Sequence, residues 1–324
     1  MRIVFMGTPA FAAIVLKHLL ASKMHDVCAV FTAPDAVRSR GSHLETSAVG
    51  CIARDADVPL YQPASCKNPQ LIDTLAALQP DVICVAAYGM LLPEALLNVA
   101  RYGAINVHAS LLPRWRGAAP IERAILAGDT YAGVCSMRMT AALDAGDFCF
   151  PKRVALGELS YDELSEQLAC LGAQSLLECL DALAENSVEW HPQESALVTY
   201  AHKLTKDELY FSPDETALQA CRKIRASSNA HPARALLAGR SVRVMNASVL
   251  DDVALNSPLL HERLSSLCAG DMCFHAKRLF LACKSGILEI HSLIPSGKRA
   301  MDSCAFASGI QGIKHATLVW ESAK

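Results

Sequence analysis

The sequence predicts an α/β chain with a doubly wound, mostly parallel sheet, followed by a small β-barrel. Three observations carry that prediction. Apolar runs of strand length alternate with helical periodicity in the first half of the chain. One long amphipathic pattern, Tyr161 to Ala184, closes this region, and beyond it short strand-like runs are separated by Gly and Ser. With 324 residues the chain accommodates two domains, because domains centre on roughly 100–150 residues.

The elements follow in order. Residues 3–6 form a short apolar run closed by Gly7-Thr8-Pro9, after which Phe11, Ile14, Val15 and Leu19 recur at helical spacing. Residues 27–31 repeat the strand signal and residues 71–78 are helical. Residues 82–87 are continuously apolar, as in a strand buried on both faces, and further strands fit residues 104–107 and 133–139. Leu164, Leu168, Leu171, Leu176, Leu177 and Leu180 line one face of the long helix. The polar stretch after it reads as a linker, which sets boundaries at 1–188, 189–208 and 209–324. Ser212-Pro213-Asp214-Glu215 reads as a capping box opening a helix through Arg225. Residues 241–245, 278–283 and 287–293 read as strands of a small barrel.

Composition excludes several classes. No apolar run reaches the roughly 18 residues of a spanning helix, so no membrane partner is expected. The N-terminus lacks the pattern of a secretory signal, so the expected location is cytoplasmic and the expected start is Met1. The 13 cysteines are odd in number, scattered and without a Cys-x-x-Cys pair, so neither a disulfide framework nor a zinc site is expected. Gly7-Thr8-Pro9 lacks two of the three glycines of a dinucleotide fingerprint, which argues against a nicotinamide or flavin cofactor. The formal charge of −2 hides a polarised chain. Residues 201–324 carry 16 Lys and Arg against 11 Asp and Glu, net +5, and residues 1–200 carry 14 against 21, net −7.

The densest polar constellation runs from Asn106 to Gly117. Asn106 and His108 share one face of a strand and sit at the carboxyl edge, where open parallel sheets bind ligands. A second cluster, Leu143-Asp144-Ala145-Gly146-Asp147, follows another strand. An Asn, a His and an Asp without a positioned Ser or Cys suit acyl transfer to a nucleophile that the substrate brings. Asn can donate to an oxyanion, His can polarise or shuttle a proton, and Asp can orient His. Read from the residues alone, a structural histidine fits equally well.

The run NVHASLLPRWRGAAPI (106–121) resembles the signature of the folate-dependent formyltransferases. IVFMGTPAFAA (3–13), VAAYGMLLPEALL (85–97), LDAGD (143–147), TYAHKLTKDE (199–208) and IPSGKRAM (294–301) resemble that family in order and spacing. The arginine-rich form of the signature and the last two blocks are similar to the branch that formylates an aminoacyl-tRNA. The single-domain glycinamide ribonucleotide enzymes lack those blocks.

The resemblance implies a Rossmann-like catalytic domain and an OB-like barrel. It also implies transfer of the formyl group of 10-formyltetrahydrofolate to the α-amino group of methionyl initiator tRNA, by a cytoplasmic monomer that needs no metal. Asn106, His108 and Asp144 become the catalytic trio. Ser110, Leu111, Leu112 and Pro113 border the folate, and Tyr88 with Gly89 walls the pteridine; plain core packing is the other reading of Tyr88. The loop after the second strand carries Arg38 and Arg40, implied to contact the tRNA acceptor stem, although as residues they read equally as a solvated surface. Arg222, Lys223, Arg225, Lys298 and Arg299 are implied phosphate contacts. Other readings are formylation of an amino sugar nucleotide and a non-catalytic folate- or tRNA-binding protein.

The chain departs from the family at Ala142, where Gly is usual, at Ala145, where Thr is usual, and in a lysine-poor loop after the second strand. Residues 227–232 also replace a segment that is usually aromatic. Arg40→Ala is expected to weaken RNA binding, and the scarcity of cations to give a shallow dependence of affinity on salt. Filter binding over a range of ionic strengths checks both, at a slope of about −0.7 to −0.9 per phosphate contact.

Overall fold

The protein is described by a computed structural model, in which residues 1–36, 44–250, 258–311 and 318–323 are described. Arg38 and Arg40 lie outside the described residues. The chain divides into two compact units. The first comprises Met1–Pro120, Thr130–Ala155 and Glu163–His202, and the second Ile121–Asp129, Leu156–Asp162 and Lys203–Lys324.

In the first unit, β1 (Arg2–Gly7) leads into α1 (Ala10–Ala21), then β2 (Asp26–Phe31), α2 (Ala48–Asp55), β3 (Leu60–Tyr61) and α3 (Pro69–Ala77). After these come β4 (Val82–Ala86), α4 (Glu94–Leu97), β5 (Ala104–His108), β6 (Arg116–Gly117), α5 (Pro120–Ala127), which from Ile121 onward belongs to the second unit, β7 (Tyr131–Arg138), β8 (Phe148–Ala155), α6 (Tyr161–Ala184) and β9 (Tyr200–Ala201). The sheet order is β3-β2-β1-β4-β5-β7-β8. Pairings from β3 to β5 are parallel, whereas β7 and β8 add antiparallel strands. Because β1 lies between β2 and β4, the winding reverses there, and in such sheets ligands bind beyond the carboxyl ends of the strands. Residue 7, the last of β1, has to be glycine because a Cβ there would come within 2.6 Å of the Ala12 Cβ and 2.8 Å of the Ala86 carbonyl oxygen.

Both faces of β4 are buried, which explains its unbroken apolar sequence. Strand β5 is two-sided in chemistry. Val107 faces α6, where a Cβ at Gly172 would lie 2.6 Å from Val107 Cγ1. By strand alternation Asn106 and His108 face the opposite way. The apolar stripe expected on α6 is buried at Leu164, Leu168, Leu176 and Leu180.

The second unit contains α7 (Ala217–Arg225), β10 (Arg234–Leu237), β11 (Arg240–Val249), α8 (Pro258–Ser265), β12 (Asp271–His275), β13 (Arg278–Ala282), β14 (Ile287–Pro295), β15 (Met301–Asp302), α9 (Ser303–Ser308) and β16 (Leu318–Ser322). Its sheet runs β11-β10-β16-β12-β13-β14-β15, and β11 also pairs with β14. That pairing closes an antiparallel barrel, which removes exposed strand edges. Trp320 fills its interior with the ring against Phe211, and the indole N–H donates to the Ala282 carbonyl at 3.0 Å.

Helix α7 starts later than the capping box expected at 212–215. The box is Thr216 with Gln219: the Thr216 Oγ1 accepts the Gln219 N–H at 3.1 Å and the Gln219 Oε1 accepts the Thr216 N–H at 2.9 Å. The Glu215 carboxylate is engaged instead by Lys223 Nζ at 2.7 Å, and the Glu215 N–H closes a turn onto Ser212. The α7 cations are also bound inside the unit. Lys223 donates to Tyr210 O and Glu215, Arg225 Nη1 to Gly157 O at 2.7 Å, and Arg222 Nη1 to Ala127 O at 3.4 Å. No helix among the described residues is long and apolar enough to cross a membrane.

Gly172→Val places a branched side chain against Val107 in a close-packed interior. It is expected to lower stability by about 1–3 kcal/mol, read as a lower urea midpoint.

Candidate active site

The site is built within the first unit, at the carboxyl end of β5. His108 is 5% exposed, and its Nε2 lies 3.0 Å from the Trp115 carbonyl oxygen. A carbonyl only accepts, so Nε2 carries a hydrogen there. The other ring nitrogen, Nδ1, faces Asp144 Oδ2 at 3.8 Å, within Coulombic reach but beyond a hydrogen bond. Both ring nitrogens thus face acceptor oxygens, Nε2 within hydrogen-bond distance and Nδ1 within Coulombic reach. Two residues back, the half-buried Asn106 amide makes no hydrogen bond among the described residues and is open to a ligand.

Asp144 reaches this position through a turn between β7 and β8, with its backbone in the left-handed region at φ 45°. Its Oδ2 accepts the Gly117 N–H at 2.9 Å. Gly117 itself has φ 124°, and a Cβ there would lie 2.7 Å from the Ala201 carbonyl oxygen. Glycine is therefore required on two counts, by conformation and by the approach of β9. Strand β9 pairs in parallel with β6, aligning Arg116 with Tyr200 and Gly117 with Ala201. Thr199 assists by accepting the Trp115 N–H on Oγ1 at 2.9 Å and the Arg116 N–H on its carbonyl at 2.9 Å.

Two residues of this site lie in the stretch expected to be a linker. Gln193 Nε2 donates to Asp144 O at 2.9 Å and Gly146 O at 2.7 Å, while its Oε1 accepts Arg116 Nε at 2.8 Å. Neither Gln193 nor Thr199 carries a periodic signal. The one hint was that TYAHKLTKDE begins at Thr199, inside the polar stretch.

The other expected residues line the neighbourhood unequally. Ser110 is buried and its hydroxyl donates to Arg114 O at 2.7 Å, so it is not a free nucleophile. Leu112 packs with Cys135, Met137 and Phe148, and a Cβ at Gly133 would meet the half-buried Leu111 side chain. Pro113 is half-buried, and its carbonyl accepts the Thr199 N–H. The Tyr88 ring is 3% exposed within the core that includes Met6, Leu92 and Leu96, while its carbonyl accepts Thr8 Oγ1 at 2.9 Å. Just beyond the end of β4, its neighbours Ala87 and Gly89 are exposed, and Gly89 has φ 82°. Burial raises the Tyr88 hydroxyl, and burial pushes the Cys135 thiol up to about 12, so neither ionises near neutrality. No group of three His, Cys, Asp or Glu suited to a metal ion occurs among the described residues.

Fold and site together define a two-unit α/β protein with a polar Asn–His–Asp site at the carboxyl end of β5 in a doubly wound sheet. Comparison with known proteins names the family. Residues 1–180 match the family model described as formyl transferase, and residues 203–311 match that described as formyl transferase, C-terminal domain. The chain is 41% identical over 307 residues to the methionyl-tRNA formyltransferase of Methylococcus capsulatus, covering 94% of this chain and 96% of that protein. It is 41% identical over 310 residues to the protein of that name from Pseudomonas entomophila, covering 95% and 96%. Among solved structures, HypX from Aquifex aeolicus in complex with tetrahydrofolic acid shares the fold at TM-score 0.62 and 14% identity, over 98% of this chain and 48% of that one. The chain belongs to the formyl transferase family.

Gly117→Ala combines a left-handed backbone with a clash against the β9 main chain. It is expected to displace the N–H that holds Asp144 and to cost about 1–3 kcal/mol of local strain. The expected readout is a loss of formyl transfer greater than the loss of thermal stability.

Proposed function

We propose that this chain transfers the formyl group of 10-formyltetrahydrofolate to the α-amino group of methionyl initiator tRNA. The observation that carries this reading is the 41% identity to proteins named methionyl-tRNA formyltransferase, sustained over 94% of the chain and therefore across both units. In this reading residues 1–188 carry the chemistry, 209–324 help hold the RNA, and 189–208 complete the site.

Asn106, His108 and Asp144 take the catalytic roles. The neutral α-amine attacks the formyl carbon, a carbon–nitrogen bond forms, and the formyl oxygen takes up negative charge. The Asn106 amide, free of protein partners among the described residues, donates to that oxygen. His108 in its imidazolium form adds positive charge, and Asp144, 3.8 Å from Nδ1, balances and orients the ring. Collapse breaks the bond from the formyl carbon to the folate nitrogen, which gains the proton that the amine loses. No protein nucleophile takes part, in keeping with the engaged Ser110 hydroxyl and the buried Cys135 thiol.

The surroundings suit a flat, polar-edged heterocycle. Ala87 and Gly89 are exposed beside Tyr88, and where a Cβ would stand on Gly89 there is open space. Leu111, Leu112 and Pro113 supply apolar borders.

The test is an assay of purified protein with 10-formyltetrahydrofolate and methionyl initiator tRNA, run beside an amino sugar nucleotide as competing acceptor. Formyl transfer to the tRNA is expected, with a fall of about 100-fold or more in Asn106→Ala and in His108→Ala. Unchanged rates in these variants would remove their catalytic assignment, and transfer to the sugar alone would replace the substrate.

A further inference from the structure

We propose that Gln193 is a positioning residue for this reaction, a clamp that fixes the Asp144 turn in the one conformation that serves His108. The inference rests on the function proposed above for Asp144. Three observations support it. Asp144 occupies a left-handed backbone conformation at φ 45°, which aspartate tolerates better than most residues but which is still less populated than the right-handed and extended regions. The Gln193 side chain uses its full amide: both hydrogens go to carbonyls of the turn, at Asp144 and Gly146, and its oxygen accepts from Arg116. Gln193 is itself held in register, because His191 and Phe148 exchange backbone hydrogen bonds at 2.9 and 3.0 Å just beside the turn.

These contacts close a ring. Gln193 ties the Asp144 main chain to Arg116, and the next residue, Gly117, ties the Asp144 carboxylate back to the same two-residue strand. The backbone and the side chain of Asp144 are therefore anchored on β6 by two separate routes. Among the described residues, loss of the Gln193 route leaves the Gly117 N–H as the remaining hydrogen bond to Asp144, and it frees the Asp144 backbone to move towards a commoner conformation. The carboxylate then moves relative to His108, and a displacement on the order of 1 Å in a catalytic group can cost about 100-fold in rate. Substrate contacts made elsewhere are untouched, so the effect belongs in kcat.

The experiment compares Gln193→Met, which keeps length and removes all three hydrogen bonds, with Gln193→Glu, which can still accept from Arg116 but turns its second oxygen towards the two carbonyls. The expected result for both is a kcat lower by about 10- to 100-fold, with KM for tRNA and folate within about twofold. In an Asp144→Asn background the same Gln193 changes are expected to cost less than about threefold, since a residue acting through Asp144 has little left to act on. Amide exchange at Gly117, whose N–H the Asp144 carboxylate protects, is expected to quicken in both variants. A kcat within twofold of the parent, or an undiminished penalty in the Asp144→Asn background, overturns the clamp. So does unchanged Gly117 exchange in folded variants. If the parent protein does not formylate methionyl-tRNA, the functional reading fails on that control, and the exchange measurement still decides whether Gln193 holds the turn.

Discussion

Strand β5 has to satisfy two faces at once, and much of the first unit is arranged around that requirement. On one side Val107 meets α6 at a glycine, which lets a 24-residue helix approach the sheet closely. On the other side the same backbone presents Asn106 and His108 at its carboxyl end. Alternation makes the two tasks inseparable, because a shift of one residue in register would exchange the apolar and polar faces. The parallel pairing of β4 with β5 and the antiparallel pairing of β7 with β5 hold that register from both sides.

The polar face stays polar because nothing beside it competes for the chemistry. The Cys135 thiol is buried and its pKa is raised by that burial, and the Ser110 hydroxyl is committed to a carbonyl. What remains is an amide without a partner among the described residues, an imidazole between two acceptors and a carboxylate held by a main-chain N–H. Such a set stabilises charge and moves protons, but it forms no bond of its own to carbon. Chemistry of this kind suits a family whose acceptor brings the nucleophile.

The parts of this arrangement that could be read in the sequence are those with a period or a motif. The apolar runs at β1, β4 and β5 and the leucine stripe of α6 follow from burial, and burial leaves a regular trace. Asn106 and His108 could be found because polar residues on a buried strand need a reason. Gln193 and Thr199 could not, since a side chain that bonds to the backbone of a distant turn leaves no spacing to detect. The cap of α7 is hidden for a similar reason: Ser212 and Glu215 have the composition of a box, yet Lys223 draws Glu215 away and Thr216 takes the role. The positive balance beyond residue 200 was also legible as a number, but Arg222, Lys223 and Arg225 bind carbonyls and a carboxylate of their own unit.

The pairing of β6 with β9 joins residues 84 positions apart. A chain emerging from the ribosome has every strand of the parallel sheet available before Gln193, Thr199 and Ala201 have been made. Until then Gly117 lacks the neighbour that shapes it, and Asp144 lacks the amide that spans its turn. Synthesis therefore separates the folding of the scaffold from the assembly of its site, and a nascent chain that stops after α6 carries the expected trio without the restraints that align it.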